Sequence, residues 1–251
     1  RNTKEERTRA VMSKLELLTP EGLRVDGRRP SELRFMDCKM GQFPGVDGSA
    51  FFQQGNTRVI ATVHGPREIT KRGPRRGDKC IVSCEYTITT FGITGERRKQ
   101  DRRQSEMSLI VQRTLEEMIL CKLYPKSEIN VYIQVLQSDG GELPTALNAA
   151  TLALMDAGIP LCDFFCSCAA GLINSTPILD LNYLEDSSGN PDIPVAVAMQ
   201  AGSVVMLQVD NKISVADFEQ VTLLAIEGCK KIFEVMTKCV RERSALLLEK
   251  R

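Results

Sequence analysis

A single histidine, His64, stands in 251 residues, which leaves no imidazole pair for a metal centre and little room for a histidine-based nucleophile triad. The glycines spell neither a P-loop nor a dinucleotide fingerprint, and no G-x-S-x-G elbow is present; nucleotide hydrolysis, Rossmann-type redox chemistry and serine hydrolysis find no support. No apolar run approaches the roughly 18 residues that span a bilayer. Residues 1–18, RNTKEERTRAVMSKLELL, also lack the apolar core of a secretory signal. The expectation is a soluble protein of the cytosol or nucleus, without membrane contact. Charge of one sign is equally missing: 33 Lys and Arg face 32 Asp and Glu, so any affinity for nucleic acid has to come from local clustering.

What is present is a sizeable apolar fraction, 42%, enough for a core and too much for a disordered chain. Nine cysteines, an odd set scattered through apolar runs, read as free thiols of a reducing compartment. The densest group, Cys162, Cys166 and Cys168, lacks the two separated ligand pairs of a zinc site and reads as core packing, so no metal is expected. Residues 1–12 are charged and carry no strand pattern; they read as an extension or expression remnant, with Met12 a possible native start and residues 13–251 forming one domain.

Along that domain, Gly55-Asn56 between two apolar runs signals a hairpin, and residues 80–89 read as a strand. Met107, Ile110, Val111, Leu115, Met118 and Ile119 recur at helical spacing before Tyr124-Pro125. Residues 128–137 alternate as a strand, and 147–157 form a helix ended by Gly158. Further strands are expected near 164–173, 193–200 and 203–209, then a long amphipathic helix over about 215–248. The order is α/β (α+β): hairpins followed by a helix, twice, giving two similar halves with mixed sheets and packed helices.

Three sets of residues carry chemistry. Arg24-Val25-Asp26-Gly27-Arg28-Arg29 reads by itself as an exposed turn with solvated arginines. Arg67, Lys71, Arg72, Arg75 and Arg76 in one loop, with Arg97, Arg98, Lys99, Arg102 and Arg103 in the next, read equally as an RNA track and as an ordinary solvated surface. Asp180 and Asp186 in LDLNYLED read by themselves as a polar turn.

Taken in order, RVDGRR, DGSAFFQQGNT, HGPRE, GERR, VLQSDGG, ALNAATLALMDAGIP and LDLNYLED resemble the ribonuclease PH family from about residue 15 to 248. Within the family the chain looks closest to the exosome ring subunit that is phosphorolytic in archaea, in its eukaryotic form. The resemblance implies a ribonuclease PH fold. It also implies a hexameric ring of related subunits carrying RNA-binding cap subunits, serving a separate hydrolytic nuclease, and at work in the nucleus, nucleolus and cytoplasm on RNA, rRNA included. It implies single-stranded RNA on Arg67, Arg72, Arg75, Arg76, Arg97, Arg98, Arg102 and Arg103, and no cofactor.

It further implies that Asp180 and Asp186 descend from a catalytic pair, a carboxyl being suited to assist a departing 3′ oxygen. Active relatives place Ser or Thr and then Arg after the glycine that matches Gly141, to hold the attacking phosphate at a helix start. Here those positions are Glu142 and Leu143. Their exchange removes a charge-assisted contact of about 1.5–3 kcal/mol, and loss of one such donor costs on the order of 10²–10³ in rate. Gly141, Glu142 and Leu143 therefore mark a degenerate phosphate site, and the aspartates become ancestral positions no longer used. Two readings compete with this RNA-binding, architectural one: a working phosphate-dependent 3′-to-5′ exoribonuclease, and a nucleotide-binding metabolic protein, for which no base pocket is apparent.

Overall fold

The computed structural model describes residues 17–19, 22–69, 80–89, 91 and 102–249. The first half is built on strict alternation. In β3 (Thr57–Glu68), Val59, Ala61 and Val63 are wholly buried, while the residues between them face outward. β2 (Gly48–Gln54) precedes it, joined by the two-residue turn Gly55-Asn56, where Gly55 has φ +61°. β1 (Met36–Met40) edges β2, and β4 (Ile81–Ile88) connects through α1 (Arg102–Met118) to β5 (Ser127–Gln137). The five strands lie in the order β1-β2-β3-β5-β4, antiparallel except for β4 against β5. A helical crossover is what a parallel neighbour requires.

α2 (Glu142–Asp156) follows and is buried on every side, from Leu143 to Leu154. A helix apolar all round has to lie between layers, and α2 packs on β2 and β3 at one side and on β6 (Phe165–Ile173) at the other. Its one amide side chain, Asn148, is satisfied by Ser167, receiving from the backbone N–H at 2.8 Å and donating to the carbonyl at 2.9 Å.

The second half contains β6, β7 (Thr176–Leu179), the one-turn α3 (Tyr183–Asp186), β8 (Asp192–Ala198), β9 (Ser203–Leu207) and the long α4 (Val215–Glu249). Its sheet runs β7-β6-β8-β9. Of the two sheets expected to be mixed, the first is mixed and the second antiparallel throughout. Asn174 and Ser175, both at positive φ, close a tight hairpin between β6 and β7, so no crossover intervenes. α4 covers β6, β7 and β8 and reaches β1. One continuous apolar cluster joins the sheets, α2 and α4. Among the described residues no helix is long and apolar enough to cross a membrane.

All nine cysteines are free; Cys166 and Cys168 are buried in β6, whereas Cys162 is exposed at the surface before it. The helix start near 147 is corrected to Glu142, because Pro144 falls in the first turn, where the missing N–H has no intrahelical partner to lose.

Candidate functional site

The RVDGRR segment keeps its bend, with Gly27 at φ +79°, but its arginines are not solvated as a group. Arg24 is 2% exposed. Its Nε donates to Glu185 Oε1 at 2.8 Å, a second nitrogen reaches Glu185 Oε2, and the guanidinium also donates to the carbonyls of Leu179 at 2.6 Å and Asp180 at 2.8 Å. A buried pair satisfied in this way costs about 3–5 kcal/mol when one partner is removed. Arg28 lies alongside, donating to Asp26 Oδ2 at 2.9 Å. Arg29 is the exposed member.

Arg34 completes the arrangement. Its Nη2 meets Asp180 Oδ1 at 2.7 Å, its backbone N–H meets Oδ2 at 2.8 Å, and Nη1 donates to the Asp139 carbonyl at 2.6 Å. The segment before β1 thus fastens the 139–141 loop to the chain that follows β7. Asp180, at φ +57° and 1% exposed, is consumed by these contacts. Burial would raise its carboxyl, but the Arg34 charge and hydrogen bonds outweigh that and hold it below the ordinary range. Asp180 is a structural anion and offers no free carboxylate.

Asp186 differs. It closes α3, whose start is fixed by a capping box between Asn182 and Glu185. Burial pushes its carboxyl up, Arg103 opposes the rise, and Glu142 and Asp210 reinforce it. Next to it, burial and then the charges of Asp186 and Asp210 push Asp192 up to about 8, and Asp192 Oδ1 is buried without a hydrogen-bond partner. Arg103 is the cation that these carboxyls share. These carboxyls and Arg103 come from the starts of α1, α2 and β8 and from the end of α3, and the group is predominantly acidic. Among the described residues no group of three or more His, Cys, Asp or Glu is arranged to hold a metal ion.

At the start of α2, Gly140 and Gly141 take φ +77° and +61°. A Cβ on Gly140 would stand 2.6 Å from the Asn182 carbonyl carbon, so only glycine permits this approach. Glu142 opens the helix; its carboxylate accepts hydrogen bonds from the Ser138 hydroxyl and from the Tyr86 hydroxyl, the latter at 3.3 Å. Burial and then the Glu142 charge push the Tyr86 phenol up. Leu143 is turned into the core, 4% exposed. The protein's own carboxylate stands where a helix start favours an anion.

The structure brings together Asp180, Asp186, Gly141, Glu142, Leu143 and Arg103. Arg102 faces elsewhere, pairing with Glu106 at 2.9 Å on the exposed side of α1. Arg67 lies near the far end of β3, opposite Glu128, while the 139–141 loop follows the other end of β5, roughly 30 Å away at strand rise. Its Nη2 contacts Asp47 at 3.2 Å and His64 Nδ1 at 3.3 Å. Arg72, Arg75, Arg76, Arg97 and Arg98 lie outside the described residues. The sequence reading took Arg24 for a solvated residue and passed over Arg34 and Glu185; the two arginines find their partners about 150 positions further along the chain.

Two sheets enclose a buried helix, with a glycine loop at its start and Asp180 beside that loop, and the comparisons show to which family this framework belongs. Residues 32–160 match the 3′ exoribonuclease (ribonuclease PH) family, domain 1, and residues 163–228 match its domain 2; the chain belongs to that family. It is 48% identical to the exosome complex component RRP41 homolog of Arabidopsis thaliana, covering 93% of this chain and 98% of that protein. It is 36% identical to exosome complex component Rrp41 of Pyrococcus horikoshii, over 91% and 92%. Among solved structures, rice (Oryza sativa) Rrp46 superposes with a TM-score of 0.78 at 26% identity, covering 86% of this chain and all of that one.

Proposed function

We propose that this chain is an RNA-binding, architectural ring subunit of an RNA exosome that supports 3′-to-5′ RNA processing and degradation without phosphorolysis of its own. The observation that carries the loss of activity is Glu142. A carboxylate tied to Ser138 and Tyr86 fills the start of α2, and Leu143 is buried where active relatives have an arginine. Inorganic phosphate would meet an anion there, the neighbouring Arg34 being already paired with Asp180. The relatives in Arabidopsis and Pyrococcus, named as exosome components, support the ring assignment.

On this reading residues 13–251 act as one domain, in keeping with the continuous core. The chain sits beside related subunits in a hexameric ring that carries RNA-binding cap subunits and passes single-stranded RNA to a separate hydrolytic nuclease. Arg67, Arg72, Arg75, Arg76, Arg97, Arg98, Arg102 and Arg103 supply phosphate contacts along the way. The sites of action are the nucleus, nucleolus and cytoplasm, and rRNA is among the substrates.

One observation favours the competing reading of an active phosphorolytic enzyme: Asp186, raised by burial, keeps the character of a general acid. The two separate cleanly in an assay of the purified chain, and of its ring, with single-stranded RNA and inorganic phosphate. No nucleoside diphosphate is expected from either. Diphosphate release that disappears with Asp186→Asn would establish the enzyme instead.

A further inference from the structure

The last third of α4 meets the edge of the first sheet at two thiols. Along β1, alternation turns Met36, Cys38 and Met40 to one face, where they pack on the core. On α4, Ile232, Met236 and Cys239 recur at helical spacing and are buried. The Cys239 thiol donates to the Cys38 carbonyl at 3.3 Å, and the Cys38 thiol donates to the carbonyl of Val235, one helical turn before Cys239, at 3.9 Å. Both sulfurs therefore lie in the one seam between β1 and α4, and the two side chains are also hydrogen-bonded to each other. One turn further along α4, Arg243 donates to Asp156 Oδ1 at 2.9 Å and covers Gly41, just past β1, so the seam is pinned beside the pair.

Two properties separate this pair from the other buried thiols. Burial pushes Cys80, Cys84, Cys166, Cys168 and Cys229 up, which keeps them as inert thiols. Cys239 moves the other way, because its hydrogen bond with Cys38 outweighs the cost of burial. Cys38 is raised in turn, first by that bond and then by burial. The second property is access: Cys38 is only half-buried, so a small oxidant can enter the seam. A thiol of lowered pKa next to a resolving thiol is the arrangement of a redox-sensing pair.

We infer that Cys38 and Cys239 are a redox couple, oxidised by hydrogen peroxide to a disulfide that clasps α4 to the edge of the first sheet. The Cys239 thiolate attacks one peroxide oxygen and the O–O bond breaks. The departing hydroxide takes up the proton that Cys239 released and becomes water, leaving a sulfenic acid on Cys239. The Cys38 sulfur then attacks the Cys239 sulfur; the S–S bond forms as the S–O bond breaks, and the hydroxyl leaves with the Cys38 proton as a second water. The first step also removes the thiolate whose hydrogen bond raised Cys38, and so releases the thiol that performs the second. In a reducing compartment such a bond is transient and reports oxidant. Its effect is mechanical. α4 packs on β6, β7 and β8 of the second sheet, whereas β1 belongs to the first. The bond thus joins the two sheets through residues 201 positions apart and restricts the unfolded chain.

The test uses the full chain carrying Cys162→Ser, which removes the exposed thiol that would link separate copies. After equimolar hydrogen peroxide, alkylation and digestion, mass spectrometry should find a Cys38–Cys239 linked peptide, with the remaining thiols alkylated and the link undone by dithiothreitol. The oxidised chain should unfold at higher urea concentration than the reduced one, and reduction should abolish the shift. Adding Cys38→Ser should leave a sulfenic acid on Cys239 that dimedone traps, whereas adding Cys239→Ser should leave Cys38 unoxidised at the same dose. Cys38 and Cys239 that stay alkylated while other thiols oxidise would overturn the inference, as would linkage of either to a different cysteine. A Cys38–Cys239 bond that leaves the urea midpoint unchanged would defeat the clasp. Should either added variant fail to fold, the linked-peptide map and the urea midpoints of Cys162→Ser decide the matter without it.

Discussion

Two buried aspartates respond to their surroundings with opposite sign. Asp180 is held below its ordinary value of 3.8 because, against the cost of burial, Arg34 supplies charge and hydrogen bonds. Asp192 is pushed up to about 8 by burial and by Asp186 and Asp210. For Asp180 the folded form binds fewer protons than the unfolded chain, so its stabilisation is complete above 3.8 and disappears as pH falls through its lowered folded value. For Asp192 the folded form keeps a proton that the unfolded chain releases, so stability falls as pH rises between 3.8 and about 8. Replacing Asp192 by Asn removes a titrating group without a large change of shape. Thermal unfolding midpoints of Asp192→Asn should decline less steeply than those of the wild type from about pH 5 to about pH 8.5, Asp186 contributing the residual slope. Parallel slopes would show that Asp192 ionises normally in the folded chain. None of this was legible in the sequence. Asp192 lies in PDIPVAV, a plain strand start, and Asp180 and Asp186 looked equivalent; only the fold shows that one is spent on Arg34 and the other faces Arg103.

The elements were legible where hydrophobic periodicity is long. β3, β5, α1 and α4 repeat their buried positions over eleven residues or more, and Gly55-Asn56 carried its own turn chemistry. β1, β7 and α3, each five residues or fewer, are too short for a period to emerge. The first turn of α2 was obscured by Gly141 and Pro144, residues that signal loops everywhere except at a helix start. α2 also shows why one glycine is fixed. A Cβ on Gly48, at the start of β2, would overlap the Ala153 carbonyl oxygen and the Ala157 amide nitrogen, both backbone atoms of a buried helix and its cap. Neither can move without disturbing the layer between the sheets. Gly48→Ala should cost about 1–3 kcal/mol of stability, an overpacking penalty read as a lower denaturant midpoint with unchanged slope. Gly45→Ala, which meets nothing within 4 Å, is the control.

At the scale of the whole molecule, the site is assembled from segments that the chain keeps far apart. Arg34 precedes β1, Glu142 opens α2, Asp186 closes α3, and Arg103 stands at the start of α1; the two sheets packed on α2 bring them near one another. On the function proposed above, Asp186 is the carboxyl suited to a leaving oxygen, while Glu142 and Leu143 stand where a phosphate would have to be held. This division can be tested by reversal. Glu142→Ser removes the carboxylate bonded to Ser138 and Tyr86 and restores a hydroxyl at the helix start, while Leu143→Arg returns a cation for the attacking phosphate. Pro144 presents no obstacle, since it already adopts a helical position in the first turn. Leu143 is buried, so the double variant loses apolar packing of roughly 2–4 kcal/mol and is best examined in the assembled ring, where subunit contacts stabilise the fold. Slow phosphate-dependent release of nucleoside diphosphates is expected from Glu142→Ser/Leu143→Arg, absent without phosphate and abolished by adding Asp186→Asn. A folded double variant that binds RNA but releases no diphosphate would place the lesion elsewhere, in the path that delivers the RNA end to Asp186.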